Sequence, residues 1–332
     1  MTIKEAFLEQ LELHRGKYIS GQKFAEEHHI TRAAVWKIVR ELEADGYSIK
    51  AQRNAGYCID DDCEILSASG IVKYLSDPTI EVYFRECSES TNLLARQSAV
   101  AGVGDRIYVS AQQTAGRGRL GRSFYSPAGC GIYMSLLLHP NMLAVDAQRI
   151  TTAAAVAVCR AVDSLLHEVG RSERCQIKWV NDIYLNGKKI CGILTEAELH
   201  METGKMNYAV LGIGINVRRP KNGFPAEIAD RAGAIFDADS DTVDVFNRLA
   251  GSIVNEFFRI YRKDAPQVLN PVYFLREYKD RSLVIGREVE VIQNDETRPA
   301  RAIAIDDDCR LVVRYNDGVC AALSSGEVSI KV

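Results

Sequence analysis

The chain has 332 residues, 47% of them apolar and 26% charged, so it can bury sizeable cores and needs no disulfide staples. Its formal charge of −3 excludes a global basic field, so any nucleic-acid binding must come from one local face. Nine scattered cysteines without a C-x-x-C, no apolar stretch after the N-terminus and no uninterrupted apolar run approaching ~18 residues together predict reduced thiols, a cytoplasmic location and no membrane span.

The length predicts two or three domains. The first segment reads as an amphipathic helix, with Ile3, Ala6, Phe7, Leu8 and Leu11 on one stripe and a break at Gly16-Lys17. A second short helix follows, with Ser20 as N-cap and Phe24 and Ala25 inward. Thr31 caps a third, with Ala34, Val35, Ile38, Val39 and Leu42 inward and a stop at Asp45-Gly46. Two short strands then flank the Asn54-Ala55-Gly56 turn and form a hairpin. Three helices and a hairpin within 60 residues are the layout of a winged helix-turn-helix. The third helix and the hairpin would present Thr31, Arg32, Ala33, Trp36, Lys37, Arg40, Lys50 and Arg53 to DNA. Residues 28–53 hold five basic and three acidic side chains, so this expectation rests on layout more than on charge.

The acidic break Asp60-Asp61-Asp62 reads as a linker. A mixed α/β domain follows. It has a helix from Ser90-Thr91 to Gly102, strands at Arg106–Ala111 and Ile132–Leu138, and a long apolar helix from Asp146 to Glu168. Further strands are predicted at Gln176–Trp179, Ile183–Leu185, Ile190–Glu198 and Tyr208–Asn216, and a helix from the cap Asp241-Thr242 to about Tyr261. After Asp280, five short strands begin near Leu283, Ala300, Leu311, Val319 and Val328, as in a small barrel. The fold class is therefore α+β in three domains: 1–63, 64–279 and 280–332.

The densest chemical signal is Gly116-Arg117-Gly118-Arg119-Leu120-Gly121-Arg122. Glycines allow close backbone approach, and arginines grip carboxylate or phosphate through a bidentate fork. The segment formally matches G-x-G-x-x-G, but Phe124-Tyr125-Ser126-Pro127 follows where a dinucleotide site needs a helix. No Walker A motif occurs, because each Gly-Lys pair is followed by Tyr, Lys or Met. A second signal is Lys178-Trp179-Val180-Asn181-Asp182, followed by Lys188-Lys189 across an Asn186-Gly187 turn that can bring Asp182 near Lys189. Read alone, this is equally a solvated hairpin with a surface ion pair. A third is Gly212-Ile213-Gly214-Ile215-Asn216, where strand glycines serve either close ligand approach or packing. The six histidines show no metal spacing.

These segments, with Lys188–Glu196 and the closing Leu323-Ser324-Ser325-Gly326-Glu327-Val328-Ser329, occur in the order found in the bifunctional biotin–protein ligase/biotin-operon repressor family, which the chain resembles over nearly its whole length. The resemblance implies a winged helix, a ligase catalytic domain and a C-terminal SH3-like barrel. It implies that Ser90, Thr91, Asn92 and Gln113 meet biotin, and that Arg117, Gly118, Arg119 and Lys189 cover the biotin carboxylate and the adenylate phosphate. Arg122, Trp179, Asn181, Asp182, Gly214 and Asn216 would lie by the nucleotide, with Lys178 among the catalytic cations and Asp182 by the incoming lysine.

Biotin and ATP would be substrates, biotinyl-5′-AMP the intermediate and corepressor, and Mg²⁺ would sit on the phosphates with no protein ligand assigned. The implied partners are a biotin carrier protein of acetyl-CoA carboxylase or a related carboxylase, operator DNA and a second copy of the chain. Two departures stand out. Val180 replaces the usual proline between Trp179 and Asn181, and Arg231-Ala232-Gly233-Ala234-Ile235 replaces small hydroxyl residues on the adenine side. A ligand-sensing transcription factor and a lipoate or octanoate transferase are the competing classes.

Overall fold

The structure is a computed structural model that describes all residues except 1, 62, 241, 243, 263–268, 294–295, 325–326 and 331–332. The expected features at Asp62, Asp241, Asn294, Asp295, Ser325, Gly326 and Val332 lie outside the described residues.

The N-terminal unit follows its capping signals. Helix α1 (Ile3–Leu13) opens with a capping box between Thr2 and Glu5. Helix α2 (Gly21–Glu27) starts at Ser20, whose side chain accepts from the Lys23 N–H, and α3 (Arg32–Ala44) starts at Thr31, which accepts from the Ala34 N–H. Strands β1 (Ile49–Gln52) and β2 (Gly56–Ile59) pair antiparallel as the wing. Phe7, Leu11, Phe24, Val35, Val39, Leu42 and Ile59 form a separate core. Ile3, expected inside, is exposed at the first helical turn. Glu12 is fully buried and is gripped by Arg15, which also donates to the Cys63 carbonyl at 2.6 Å. Burial pushes the Glu12 carboxyl up and the Arg15 guanidinium opposes that rise.

Helix α4 (Ala68–Val72) and strand β3 (Val82–Ser88) come next and were not anticipated. Helix α5 (Thr91–Val100), strands β4 (Arg106–Gln113) and β5 (Gly131–Leu138) and helix α6 (Ala147–Glu168) fall where expected. Strands β6 (Gln176–Lys178), β7 (Asp182–Leu185), β8 (Lys188–Leu199) and β9 (Met206–Asn216) complete a seven-stranded sheet ordered β3-β4-β5-β9-β8-β7-β6. Only the β3–β4 pair is parallel. The β3 strand carries Arg85 and Glu86 at the sheet edge, which hides it from an apolar pattern.

A short helix α7 (Ala226–Ala229) precedes α8 (Val245–Tyr261). The latter was expected to begin beside Thr242, and it begins three residues later. The Arg218 guanidinium bonds the Ser240 carbonyl at 2.7 Å and also the Thr242 carbonyl, which holds that stretch as a loop. Arg218 also pairs with Glu64 at 2.6 Å.

Helix α6 is long and apolar enough to cross a membrane, but 78% of its apolar window is buried, packed against the sheet and α8. Helix α9 (Leu275–Asp280) leads into a five-stranded antiparallel sheet of β10 (Glu288–Gln293), β11 (Glu296–Ile305), β12 (Leu311–Tyr315), β13 (Cys320–Leu323) and β14 (Glu327–Ile330), ordered β13-β12-β11-β10-β14. Its first strand starts later than expected, because Gly286 takes φ 82° and turns the chain after Val284. One core runs from α6 and α8 through Tyr278 into Val289 and Leu311, so this small β domain shares its interior with the central sheet.

Candidate active site

A cavity of about 900 Å³ opens over the middle of the seven-stranded sheet. The strands that floor it are short of side chains. Register places Lys178, Asp182, Gly192, Gly214 and Tyr133 in one row across β6, β7, β8, β9 and β5. In the neighbouring row Gly212 pairs with Leu194 and Ser135. Side chains on one face of a sheet recur every second residue, so these glycines leave a depression on one face.

Two residues from elsewhere fill that depression in part. A Cβ on Gly212 would come within 2.1 Å of Asn92 Oδ1, and one on Gly214 within 2.6 Å of the Phe124 ring. The strand glycines thus admit protein side chains while still lining the cavity. Gly212→Ala is expected to destabilise the fold by about 1–3 kcal/mol, the usual cost of overpacking. Urea denaturation measures this, and an unchanged midpoint would mean that Asn92 moves aside freely.

The arginine loop is folded on itself. Gly118 N–H donates to the Arg122 carbonyl at 2.7 Å, and Phe124 N–H donates to the Gly116 carbonyl at 2.8 Å. Leu120 stands at φ 56° and is 72% exposed at the tip, and Gly121 follows at φ 71°. Two successive left-handed residues turn the chain sharply, which suits glycine at the second. Arg119 donates to Asn181 Oδ1 at 3.2 Å, tying the loop to the turn after β6. Arg117 stands 3.9 Å from Glu89.

That turn is anchored from below. Trp179 Nε1 donates to the Cys309 carbonyl at 3.1 Å, and the Tyr278 hydroxyl donates to the Val180 carbonyl at 3.0 Å. Burial pushes the Tyr278 phenol well up, so it remains a donor. The Trp179–Val180 peptide bond, at the position of the missing proline, is cis. Asn181 Nδ2 donates to the Ile193 carbonyl at 2.8 Å, and Asn216 Nδ2 to the Gly233 carbonyl at 2.9 Å.

Lys189 Nζ lies 2.6 Å from Asp182 Oδ1, the juxtaposition expected from the Asn186-Gly187 turn. Both groups stay partly open, with side-chain exposures of 31% and 20%. The segment at Arg231–Gly233 runs against Lys189. Lys189 N–H donates to the Arg231 carbonyl, and Gly233 N–H to the Lys189 carbonyl, both at 2.8 Å. Arg231 and Ala232 therefore line the cavity despite their unfamiliar sequence. Burial pushes the Cys191 thiol well up, so this wall residue stays neutral and is a poor nucleophile.

Every residue expected to meet a small molecule lines this one cavity: Ser90, Thr91, Asn92 and Gln113 at one end, and Arg117, Gly118, Arg119, Arg122, Lys178, Trp179, Asn181, Asp182, Lys189, Gly214 and Asn216 along it. The sequence reading missed Phe124, Tyr184, Phe224, Val328 and Ser329, which also line it. Phe124 follows the arginine loop directly. Val328 lies on β14, whose strand was expected near this residue, but nothing local showed that it reaches the cavity. Of the lining residues, Arg117, Arg119, Arg122, Lys178, Lys189 and Arg231 are cationic, against the carboxylates of Asp182 and Glu227. Such a wall stabilises anions, more strongly as water leaves. Among the described residues no group of three or more His, Cys, Asp or Glu could hold a metal ion.

The residues expected to face DNA stand apart from this cavity. Arg32, Ala33, Lys37 and Arg40 are exposed on α3, with Trp36 54% exposed beside them. Lys50 and Arg53 are exposed on the wing. Thr31 is committed to its cap. Lys50 pairs with Asp60 at 2.8 Å and Arg40 with Glu43 at 2.9 Å, whereas Arg32 and Arg53 have no ion pair among the described residues.

Comparison with known proteins gives three matched segments. Residues 4–58 match the HTH domain family, residues 87–216 the biotin/lipoate A/B protein ligase family, and residues 284–331 the biotin protein ligase C terminal domain. The bifunctional ligase/repressor BirA of Bacillus subtilis (strain 168) is 31% identical, over 96% of this chain and 96% of that one. The BirA of Escherichia coli (strain K12) is 26% identical, over 96% and 95%. The biotin protein ligase from Aquifex aeolicus, solved in complex with biotin and ATP, shares the fold with a TM-score of 0.57 at 22% identity, covering 76% of this chain and 98% of that chain.

Proposed function

The chain belongs to the bifunctional biotin–protein ligase/repressor family, and from that premise we propose how its own residues join biotin to a carrier lysine and repress biotin genes. The observation that carries the reading is the cationic wall of Arg117, Arg119, Arg122, Lys178 and Lys189 beside the recess at Thr91, Asn92 and Gln113. The recess takes the biotin ring, and the wall takes its carboxylate and the ATP phosphates.

In the first half-reaction a biotin carboxylate oxygen bonds to the α-phosphorus of ATP and pyrophosphate leaves, giving biotinyl-5′-AMP. Two anions must meet, so the arginines and lysines offset their repulsion, and no protein nucleophile is needed. Mg²⁺, carried on the phosphate oxygens rather than in a protein cage, would neutralise further charge. Asn181, Trp179, Gly214 and Asn216 form the nucleotide side.

In the second half-reaction the carrier amine attacks the acyl carbon, AMP leaves, and the amine proton must be taken up. A lysine amine is mostly protonated at neutral pH, with a pKa near ~10.4, so a nearby carboxylate serves as base. Asp182 is the base in this reading, and its ion pair with Lys189 supports a handover. The anionic adenylate draws Lys189 away, and Asp182 is then left to accept the proton. The folded arginine loop closes over the water-labile anhydride.

The chain divides as 1–63, 64–279 and 280–332 in this reading. It works in the cytoplasm on a carrier domain of acetyl-CoA carboxylase or a related carboxylase. Biotinyl-5′-AMP acts as corepressor by favouring a homodimer, whose two winged helices meet a two-part operator. Arg32→Ala and Arg53→Ala are each expected to weaken operator binding and to reduce the slope of log affinity against log salt by about 0.9 per lost phosphate contact. Fluorescence anisotropy across a salt series measures this, and an unchanged slope would remove these side chains from the interface. The ligase reading itself is tested by mass spectrometry of a purified biotin carrier domain incubated with the protein, ATP, Mg²⁺ and biotin. A carrier of unchanged mass would overturn it.

A further inference from the structure

The turn between β6 and β7, Trp179-Val180-Asn181, rests on buried supports from three distant segments. From α9, the wholly buried Tyr278 donates its hydroxyl to the Val180 carbonyl at 3.0 Å. From the turn between β11 and β12, the Cys309 carbonyl accepts from Trp179 Nε1 at 3.1 Å and from Gln148 Nε2 of α6. From β8, Ile193 engages Asn181 twice. Its N–H donates to the Asn181 carbonyl at 2.9 Å, and its carbonyl accepts from Asn181 Nδ2 at 2.8 Å. Tyr278 and Cys309 themselves lie outside the cavity lining.

These contacts give the turn a direction. A peptide unit is planar, so holding the Val180 carbonyl also holds the Asn181 nitrogen and Cα. The Ile193 carbonyl only accepts, so it takes the Asn181 amide nitrogen and leaves the amide oxygen facing the arginine loop. Arg119 carries only donors, and it meets that oxygen at 3.2 Å. One route therefore runs from Tyr278 through the Val180 peptide and Asn181 to the loop. A phenylalanine at 278 would fill the same space, so the route depends on the hydroxyl. A buried carbonyl that loses its donor is left desolvated, and rotating its peptide plane relieves that penalty by spoiling the aim of Asn181.

We propose that Tyr278 is a positioning residue for retention of the adenylate: its hydroxyl, acting through the Val180 peptide and Asn181, holds Arg119 over the bound anion. The proposal rests on the ligase reading and deepens it by naming a support, outside the cavity, that keeps the arginine loop in place.

The test uses the full-length protein loaded with biotinyl-5′-AMP, whose release is followed after a chase with excess biotin. Tyr278→Phe keeps the ring and its packing, and is expected to speed release about three- to tenfold, the scale of one hydrogen bond. Arg119→Ala removes the far end of the route and should speed release further. Placed on top of Arg119→Ala, or of Asn181→Ala, Tyr278→Phe should change release by less than about twofold, because the group it positions is already gone. A role in stability alone gives a different pattern, with release accelerated by the same factor in every background. The inference is overturned if Tyr278→Phe leaves release unchanged in the otherwise unsubstituted protein, or speeds it equally in the Arg119→Ala background. If the unsubstituted protein neither forms nor holds biotinyl-5′-AMP, the ligase reading fails and this inference falls with it.

Discussion

Lys189→Ala is expected to lower biotin-dependent ATP–pyrophosphate exchange by about 10²- to 10³-fold, the usual effect of removing one preorganised charge from a transition state. Lys189 is placed for that role by β8 and by backbone bonds to the Arg231–Gly233 segment, so its stem does not depend on the ligand for its position. Carboxylate attack on a phosphate ester gathers negative charge where two anions already meet, and a cation at that point stabilises the transition state more than the separated substrates. Binding and chemistry separate in the measurement. Isothermal titration of biotin without ATP should show a modest loss, while the exchange rate falls far more. Exchange within threefold of wild type would remove Lys189 from the first half-reaction. The substitution also leaves Asp182 without its 2.6 Å partner, so the folded variant should be verified by its melting curve.

Asp182→Asn should have the opposite profile. Exchange of pyrophosphate is expected to persist, because the first half-reaction moves no proton. Transfer to the carrier should fall by about 10²- to 10⁴-fold, the range for loss of a general base. The residual transfer then depends on amine that is already neutral, so it should rise about tenfold per pH unit below the lysine pKa of ~10.4. Single-turnover transfer from preformed adenylate, measured between mild and alkaline pH, checks both statements. Full transfer activity at neutral pH would exclude a required carboxylate. Asparagine keeps the volume and one acceptor at this position, so the packing of β7 is not the variable under test.

The two predictions share one geometric origin. The Asn186-Gly187 turn, with φ of 50° and 76°, brings the strands back on themselves and sets Lys189 against Asp182. Local sequence was enough for that, because a two-residue turn between apolar runs determines which residues face each other. The same holds for the caps at Thr2, Ser20 and Thr31 and for the long helix α6, whose elements formed where local signals placed them. It holds too for the arginine loop, which turns on its own glycines and places its arginines on the cavity wall.

Local signals failed where a neighbour distant in sequence decided the outcome. Strand β3 has only the short apolar run Val82-Tyr83-Phe84 before its charged half, and exists as the parallel partner of β4 at the sheet edge. The start of α8 was displaced because Arg218, far from it in sequence, holds the preceding loop by its carbonyls. For Gly212 and Gly214 the local sequence allows two roles, close ligand approach or packing. The sheet order β5-β9-β8 resolved them as space for Asn92 and Phe124 beneath the cavity.

From its sequence alone, the chain determined most of the order of its elements, the cationic loop and the lysine–carboxylate hairpin, because each depends on residues within one or two turns of each other. Only the tertiary structure decided that Tyr278 and Cys309 stand beneath the turn at 179–181, that Arg231 and Val328 reach the cavity wall, and that the C-terminal strands share the central core. Those adjacencies join segments 40 or more residues apart, and strand pairing order and core packing set them, neither of which leaves a periodic trace in any one segment.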